Sequence, residues 1–306
     1  MADQTAGAHR EKRFRIGRHI SISPSLLTTP KFADQIGCEI MQIFLGNPQE
    51  LYSRDRDSDE LVSFRSELDK YKMKVVIHGH YTINFCNKPS SQKFKAGVQC
   101  LIKDLNSSSI IGKRCLGVII HMGKNVVIGA SKSEAIENYA QGLSECIKQT
   151  SDAQIILETG AGTGSEIGTD LKTLKTIYGQ LSTSDMERIS FCIDTCHIWA
   201  AGYDISTSEG VKSYFKDFDN LFGIDKIACI HLNNSQNHLG SKVDRHADLA
   251  YGTIKQTGLK EVARLAAAHK IPLIMETPLD VVDPSTNQDI IFADERKLVE
   301  KWIRKK

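Results

Sequence analysis

Apolar runs bounded by turn residues, with stretches of helical periodicity between them, recur along the whole chain. Eight runs read as strands, at residues 14–20, 39–45, 75–78, 118–121, 155–158, 191–194, 228–231 and 273–276. They are continuously apolar rather than alternating, which is how a parallel strand covered on both faces reads, since neither face meets water. Their ends fall between 25 and 45 residues apart. Helical periodicity fills the gaps, for example at 59–71, 92–111, 132–149, 210–221, 259–269 and 293–302. Alternation alone also allows an open doubly wound sheet. Eight regular units without a glycine fingerprint in the first turn favour a closed (β/α)8 TIM barrel of the α/β class. One barrel domain is expected over residues 14–306, preceded by a flexible basic tail at 1–13.

Six of these runs end on a side chain that can bind metal: His78, His121, Glu158, Asp194, His231 and Glu276. In a parallel barrel such ends share one rim, the C-terminal one, where active sites are built. Two short motifs add three more donors. Asp194-Thr-Cys-His197 supplies His197, and Val243-Asp244-Arg245-His246 supplies Asp244 and His246, whose i, i+2 spacing puts both on one face of an extended segment. The nine donors comprise five imidazoles and four carboxylates. One zinc uses about four ligands, so the surplus implies two or three ions with a carboxylate bridging. Mixed imidazole and carboxylate donors without thiolates suit zinc or manganese. Burying these carboxylates together without cations would be costly in desolvation and repulsion.

Other polar residues change the picture less. His80 is a candidate to line the pocket, and His19, at the end of the first run, stands behind the ligands, meets substrate or is plain packing, with the sequence favouring none of these. The segment Gly160-Ala-Gly162-Thr-Gly164-Ser165 has Ser165 where a dinucleotide fingerprint needs glycine. Its expected role is to let the backbone pass close to metal or phosphate. Cys192 and Cys196 flank Asp194 and are read as packing rather than ligation. The length of 306 residues and a hydrophobic content of 41% allow a sizeable core, and a net charge of +2 neither favours nor excludes nucleic acid. Eight cysteines, none in a CxxC pair, read as reduced thiols. With neither a secretory h-region nor an 18-residue apolar stretch, the expectation is a cytoplasmic protein, the nucleus being the alternative, with no membrane partner.

With the ligands in view, four segments carry a resemblance to the endonuclease IV family of abasic-site DNA repair nucleases. They are Cys192-Ile-Asp-Thr-Cys-His-Ile-Trp-Ala-Ala-Gly-Tyr-Asp204, His231-Leu-Asn-Asn234, Gly240-Ser-Lys-Val-Asp-Arg-His246 and Pro272-Leu-Ile-Met-Glu-Thr277. The resemblance implies a trinuclear zinc site, with manganese an alternative occupant. One ion would take His78, His121 and Glu158, a second Glu158, Asp194, His231 and Glu276, and a third His197, Asp244 and His246. It also implies hydrolysis of the phosphodiester 5′ to an abasic site, leaving a 3′-hydroxyl and a 5′-deoxyribose phosphate, and trimming of blocked 3′ ends. Glu158 as bridge and Glu276 as the group that orients or deprotonates water are the implied catalytic residues. The implied partner is double-stranded DNA containing abasic sites or blocked 3′ ends, and the implied working form is a monomer.

The chain departs from the family where the duplex is probed: Gln49 stands in place of an arginine, and Thr82 in place of an apolar wedge after Tyr81. Ala250-Tyr251-Gly252 replaces Gly-Glu-Gly, and Asn233-Asn234 replaces Asn-Asp. Lys124, Lys242 and Arg245 are candidate phosphate contacts beside Tyr81, Gln49 and Thr82. The competing readings are a divalent-metal sugar isomerase or epimerase on the same barrel, which usually holds fewer ions, and a non-catalytic zinc-stabilised DNA-binding module, which would need closed coordination.

Overall fold

The structure, a computed structural model, describes residues 15–51, 55–279 and 291–304. The expected tail at 1–13 lies outside the described residues, as do Phe14, Lys305 and Lys306. In chain order the strands are β1 (Ile16–His19), β2 (Ile40–Ile43), β3 (Lys74–His78), β4 (Cys115–Ile120), β5 (Ile155–Glu158), β6 (Ile189–Asp194), β7 (Ile227–His231), β8 (Asn234–Ser235), β9 (His246–Ala247) and β10 (Leu273–Met275). The first seven and β10 close into a barrel in which every pairing is parallel. β8 and β9 form a small antiparallel ribbon above it.

The described α-helices are α1 (Thr29–Gln35), α2 (Ser58–Lys70), α3 (Gln92–Ile111), α4 (Lys132–Lys148), α5 (Leu171–Gly179), α6 (Thr183–Glu187), α7 (Thr195–Ala201), α8 (Ser208–Phe222), α9 (Gln256–His269) and α10 (Phe292–Ile303). Most of the long ones start where a short polar side chain can close the first turn: Asp57, Ser91, Ser131, Asp170 and Thr207 each accept from an amide three residues on. Periodicity finds the six longest helices to within three residues at either end. It misses α1, α5, α6 and α7, each under ten residues and so too short to establish a 3.6-residue pattern.

Inside the barrel, side chains stack in layers. Ile40, Val76, Ile119, Ile156, Cys192, Cys229 and Ile274 form one buried apolar cluster, one residue from each of seven strands. The eighth strand contributes Gly17, in register with Ile40 and Ile274. Because strand side chains alternate, the residue two positions further along each strand points the same way. Those eight residues are His19, Gln42, His78, His121, Glu158, Asp194, His231 and Glu276. A polar ring therefore sits directly on an apolar plug, and every strand supplies one member of each.

Candidate metal centre

Glu158 occupies the middle of the polar ring. Its Oε2 lies 3.4 Å from Nε2 of both His78 and His121, while its Oε1 lies 2.9 Å from His231 Nδ1. His231 Nδ1 is also 3.2 Å from Glu276 Oε2 and 3.6 Å from Asp194 Oδ2. A third group gathers from loops. His197 Nε2 is 3.1 Å from Asp244 Oδ2, and His246 Nε2 is 3.2 Å from Asp244 Oδ1 and 3.5 Å from Asp194 Oδ2. All nine donors identified in the sequence thus meet in one place.

Local structure explains how the three donors from outside the barrel strands arrive there. β6 runs straight into α7, with Asp194 as its N-cap: Asp194 Oδ1 accepts from the His197 amide at 2.9 Å, so His197 is held over the strand end. Asp244 comes at the end of the loop between β8 and β9 and His246 opens β9, where the register pairs it with Ser235. Asn234 ties the start of this ribbon to the segment that follows it. Its amide donates to the carbonyls of Leu249 and Ile254, both at 3.1 Å, and its oxygen accepts from the Ser235 and Ile254 amides, both at 2.8 Å. Gly252 packs against this side chain, and a Cβ there would come within 2.2 Å of it.

The histidine tautomers are set from outside the ring. Nδ1 of His78, His197 and His246 faces the backbone carbonyl of Gly79 at 2.8 Å, Thr159 at 2.8 Å and Glu276 at 3.3 Å. A carbonyl only accepts, so Nδ1 carries the proton and Nε2 offers its lone pair inward. His231 is reversed, with Nε2 2.7 Å from Gln42 Oε1 and Nδ1 turned to the carboxylates. Gln42 is itself fixed because its amide donates to Glu276 Oε1 at 2.6 Å. Engaging the second nitrogen in this way is how metal-binding imidazoles are oriented.

The donor set fits divalent ions. Glu158 Oε2, His197 Nε2 and His246 Nε2 are buried without a hydrogen-bond partner among the described residues. Two atoms held tetrahedrally by one zinc at about 2.0–2.1 Å would be roughly 3.3 Å apart, close to the 3.4 Å between Glu158 Oε2 and each of His78 and His121. In the protein alone, protons compensate the carboxylates. Burial would raise the Glu158 carboxyl, but His121 and His231 outweigh it and hold the carboxyl well below its ordinary value. Burial lowers and Asp194 raises His246, which ends at about 9. His121, by contrast, is pushed down to about 4 by burial. Cations would replace those protons and leave the imidazoles as neutral donors.

The comparisons with known proteins agree with this geometry. The family described as xylose isomerase-like TIM barrel matches residues 30–301. A protein carrying the name endonuclease 4 from Acanthamoeba polyphaga mimivirus is 51% identical over 292 residues, covering 95% of this chain and 94% of its own. The chain belongs to the endonuclease IV family. Apurinic-apyrimidinic endonuclease 1 of Saccharomyces cerevisiae is 30% identical over 299 residues, covering 96% of this chain and 77% of its own. The crystal structure of endonuclease IV from Thermus thermophilus superposes with a TM-score of 0.76 at 25% identity, covering 94% of this chain and 98% of that one.

Around the ring, a cleft of about 370 Å³ is lined in part by Tyr81, His121, Lys124, Asp244, His246 and Glu276. Tyr81 is 46% exposed and stands edge-on to Phe44, His78 and His121, with centroids 5.2–5.4 Å apart. It can meet a ligand while resting on the ring. Thr82, where endonuclease IV relatives are expected to carry an apolar wedge, turns its hydroxyl to the Glu50 carbonyl at 3.1 Å. Gln49, Lys124, Lys242 and Arg245 are exposed. The Gly160–Ser165 segment passes the cleft as expected, with Ala161 and Thr163 among its lining residues, but departs from expectation in that two of its amides are already engaged. Glu166 Oε2 accepts from the Gly162 and Thr163 amides at 2.8 and 3.2 Å, so the loop's own carboxylate takes the amides a phosphate would use. His80 also departs from expectation, turning from the cleft to the Glu50 carbonyl.

Sequence reasoning missed Gln42 and underused Asn233. Asn233 Nδ2 donates to Asp194 Oδ2 at 2.7 Å, and its Oδ1 accepts from the Glu276 amide at 2.8 Å. Gln42 also touches His19 Nδ1 at 3.1 Å, which places His19 behind the ligands. The available signal was a glutamine inside an otherwise apolar strand, where a satisfied polar network is the usual reason.

Proposed function

We propose that this member of the endonuclease IV family hydrolyses the phosphodiester 5′ to an abasic site in double-stranded DNA and trims blocked 3′ ends. In this reading it acts as a monomer with three zinc ions. The observation that carries the reading is the split carboxylate of Glu158, one oxygen toward His78 and His121, the other toward His231, with the Asp244 pair beside it.

His78, His121 and Glu158 would hold one ion, Glu158, Asp194, His231 and Glu276 a second, and His197, Asp244 and His246 a third. When bound, such ions lower the pKa of water and offset charge on a phosphate and its leaving oxygen. Glu276 lines the cleft, and Gln42 fixes one of its oxygens. Its carboxylate orients the attacking water and takes the proton as the new bond to phosphorus forms. The phosphorus to 3′-oxygen bond breaks and the departing oxygen takes up a proton, from Glu276 or solvent water, giving a 3′-hydroxyl on one side and a 5′-phosphate on the abasic sugar. Tyr81 fills the space at the mouth, and Lys124, Lys242 and Arg245 hold neighbouring phosphates. A nucleotide without a base has little stacking to lose, so swinging it into the cleft costs less than for an intact one.

The test is a duplex with one tetrahydrofuran analogue. A single nick on its 5′ side without added magnesium is the expected product. Cleavage on the 3′ side by β-elimination, or dependence on added magnesium, would overturn the reading.

A further inference from the structure

A second buried donor set lies outside the ring. His80 Nδ1 donates to the Glu50 carbonyl at 2.6 Å, which makes Nε2 the lone-pair nitrogen, and that Nε2 is buried with no hydrogen-bond partner among the described residues. Cys100 and Asp104, one turn apart on α3, bring a thiol and a carboxyl to the same place. One donor atom from each of His80, Cys100 and Asp104 lies within 4.8 Å of the other two. The residues are 4%, 2% and 3% exposed, and Asp104 Oδ2 also lacks a hydrogen-bond partner among the described residues. Two unsatisfied acceptors this close in a dry interior are costly unless something positive lies between them.

We propose that His80, Cys100 and Asp104 form an additional site for a zinc-class divalent cation, separate from the ring, which ties α3 to the loops at the mouth of the cleft. Imidazole, thiolate and carboxylate are a zinc donor set, and three protein ligands leave a fourth position for water. Closing the present spacing onto one ion requires side-chain movements on the order of an ångström. Burial pushes the Asp104 carboxyl up to about 7, so a cation there takes the place of a proton near neutrality. The mechanical consequence follows from the partners of His80. The Glu50 carbonyl that it engages also accepts from Thr82, and the Tyr81 amide donates to the Pro48 carbonyl at 3.0 Å. An ion on His80 therefore holds the loop bearing Gln49 and the loop bearing Tyr81 against one helix.

The donor chemistry supplies a specific readout, because the metal centre has no thiolate among its nine donors. After exchange of the purified full-length chain into cobalt(II), thiolate ligation produces an intense near-ultraviolet charge-transfer absorption that imidazoles and carboxylates do not. The band is expected in the unsubstituted chain and absent from Cys100→Ala. Metal analysis of the zinc-loaded protein is expected to show one equivalent less in Cys100→Ala and in Asp104→Asn than in the unsubstituted chain. The near-isosteric Asp104→Asn keeps the test usable if Cys100→Ala fails to fold. No thiolate band in the unsubstituted chain, a band that survives Cys100→Ala but disappears in Cys192→Ala or Cys196→Ala, or unchanged metal content in Asp104→Asn would each overturn the proposal. These differences are read between variants of one chain. They stand whether or not the chain incises abasic DNA.

Discussion

The two inward layers of the barrel share the same eight strands and lie two residues apart, yet one is a dry plug and the other a ring of donors. In the lower layer, Ile40, Val76, Ile119, Ile156 and Ile274 pack with Cys192 and Cys229 and need no polar partner, and only the Cys192 thiol reaches up to His231. In the upper layer each polar atom must be matched, and the matching is done by neighbours in the ring, by Gln42 and Asn233, and by backbone carbonyls. The atoms left over, Glu158 Oε2, His197 Nε2 and His246 Nε2, are where the protein alone is incomplete. The plug makes the ring possible. It excludes water from below and fixes the height of the strand ends, so donors from separate strands fall within 3–4 Å of Glu158 and Asp194.

Paired substitutions on β5 separate the layers most sharply. Glu158→Ala is expected to lose metal and to lower incision by about 10³-fold, the equivalent of several kcal/mol of charge stabilisation. Ile156→Ala, two residues below, is expected to cost about 2–5 kcal/mol in denaturant unfolding while leaving metal content per folded chain unchanged. Metal analysis beside unfolding curves reads both. If Glu158→Ala retained its metals and activity, the bridging role would be gone.

Proton competition gives the next largest effect, and of the two layers only the donor layer shows it. His246 is raised from 6.5 to about 9, chiefly by Asp194 working against burial. Its protonated form therefore stabilises the metal-free fold fully below 6.5, and that contribution is lost as pH rises through about 9. Zinc must displace this proton, so apparent affinity rises with pH, about tenfold per unit for one proton and about 100-fold between roughly pH 6 and 8. Chelator competition across that range measures it. A flat affinity would mean that metal does not replace the imidazole protons.

The contrast between layers also governs what could be read in advance. The plug was legible because uninterrupted apolar runs of this length, regularly spaced between helical stretches, fit strands covered on both faces and little else. The donors at their ends were legible because charged groups do not terminate six buried strands by chance of packing. α7 and the two-residue strands β8 and β9 were not legible as elements, since their positions are set by capping and by Asn234 rather than by periodicity. Gln42 was hidden for a different reason. A single amide in an apolar run carries no motif, and its importance lies in the register that puts it beside His231 and Glu276. The rim was least legible, because Gln49 and Thr82 are defined by departure from a family pattern rather than by chemistry of their own.

Gln42→Leu tests that hidden member. It keeps the volume and removes the hydrogen bonds to His231, Glu276 and His19, so the expected loss is about 10–100-fold in metal affinity or incision rate, with the unfolding free energy lowered by only about 1–3 kcal/mol for the buried partners left unmatched. An unaffected variant would show that the strand ends alone position His231 and Glu276.

The smallest effect belongs to the rim and compares it with the ring. Lys124 is exposed beside the cleft, and its amide is held by Asn84 Oδ1 at 3.1 Å, so its position is fixed by backbone while its ammonium, in the field of Glu166, has no hydrogen-bond partner among the described residues and can meet a phosphate. Lys124→Ala should leave metal content untouched and weaken duplex binding evenly across sequences. The slope of log affinity against log salt should fall by about 0.9, one phosphate contact. Titrations of an uncleaved tetrahydrofuran duplex by Glu276→Gln, with and without the lysine, would measure that slope while suppressing turnover. A change near one contact with unaltered metal content assigns Lys124 to positioning, because a ring residue would alter metal content and a merely solvated lysine would leave the slope where it was.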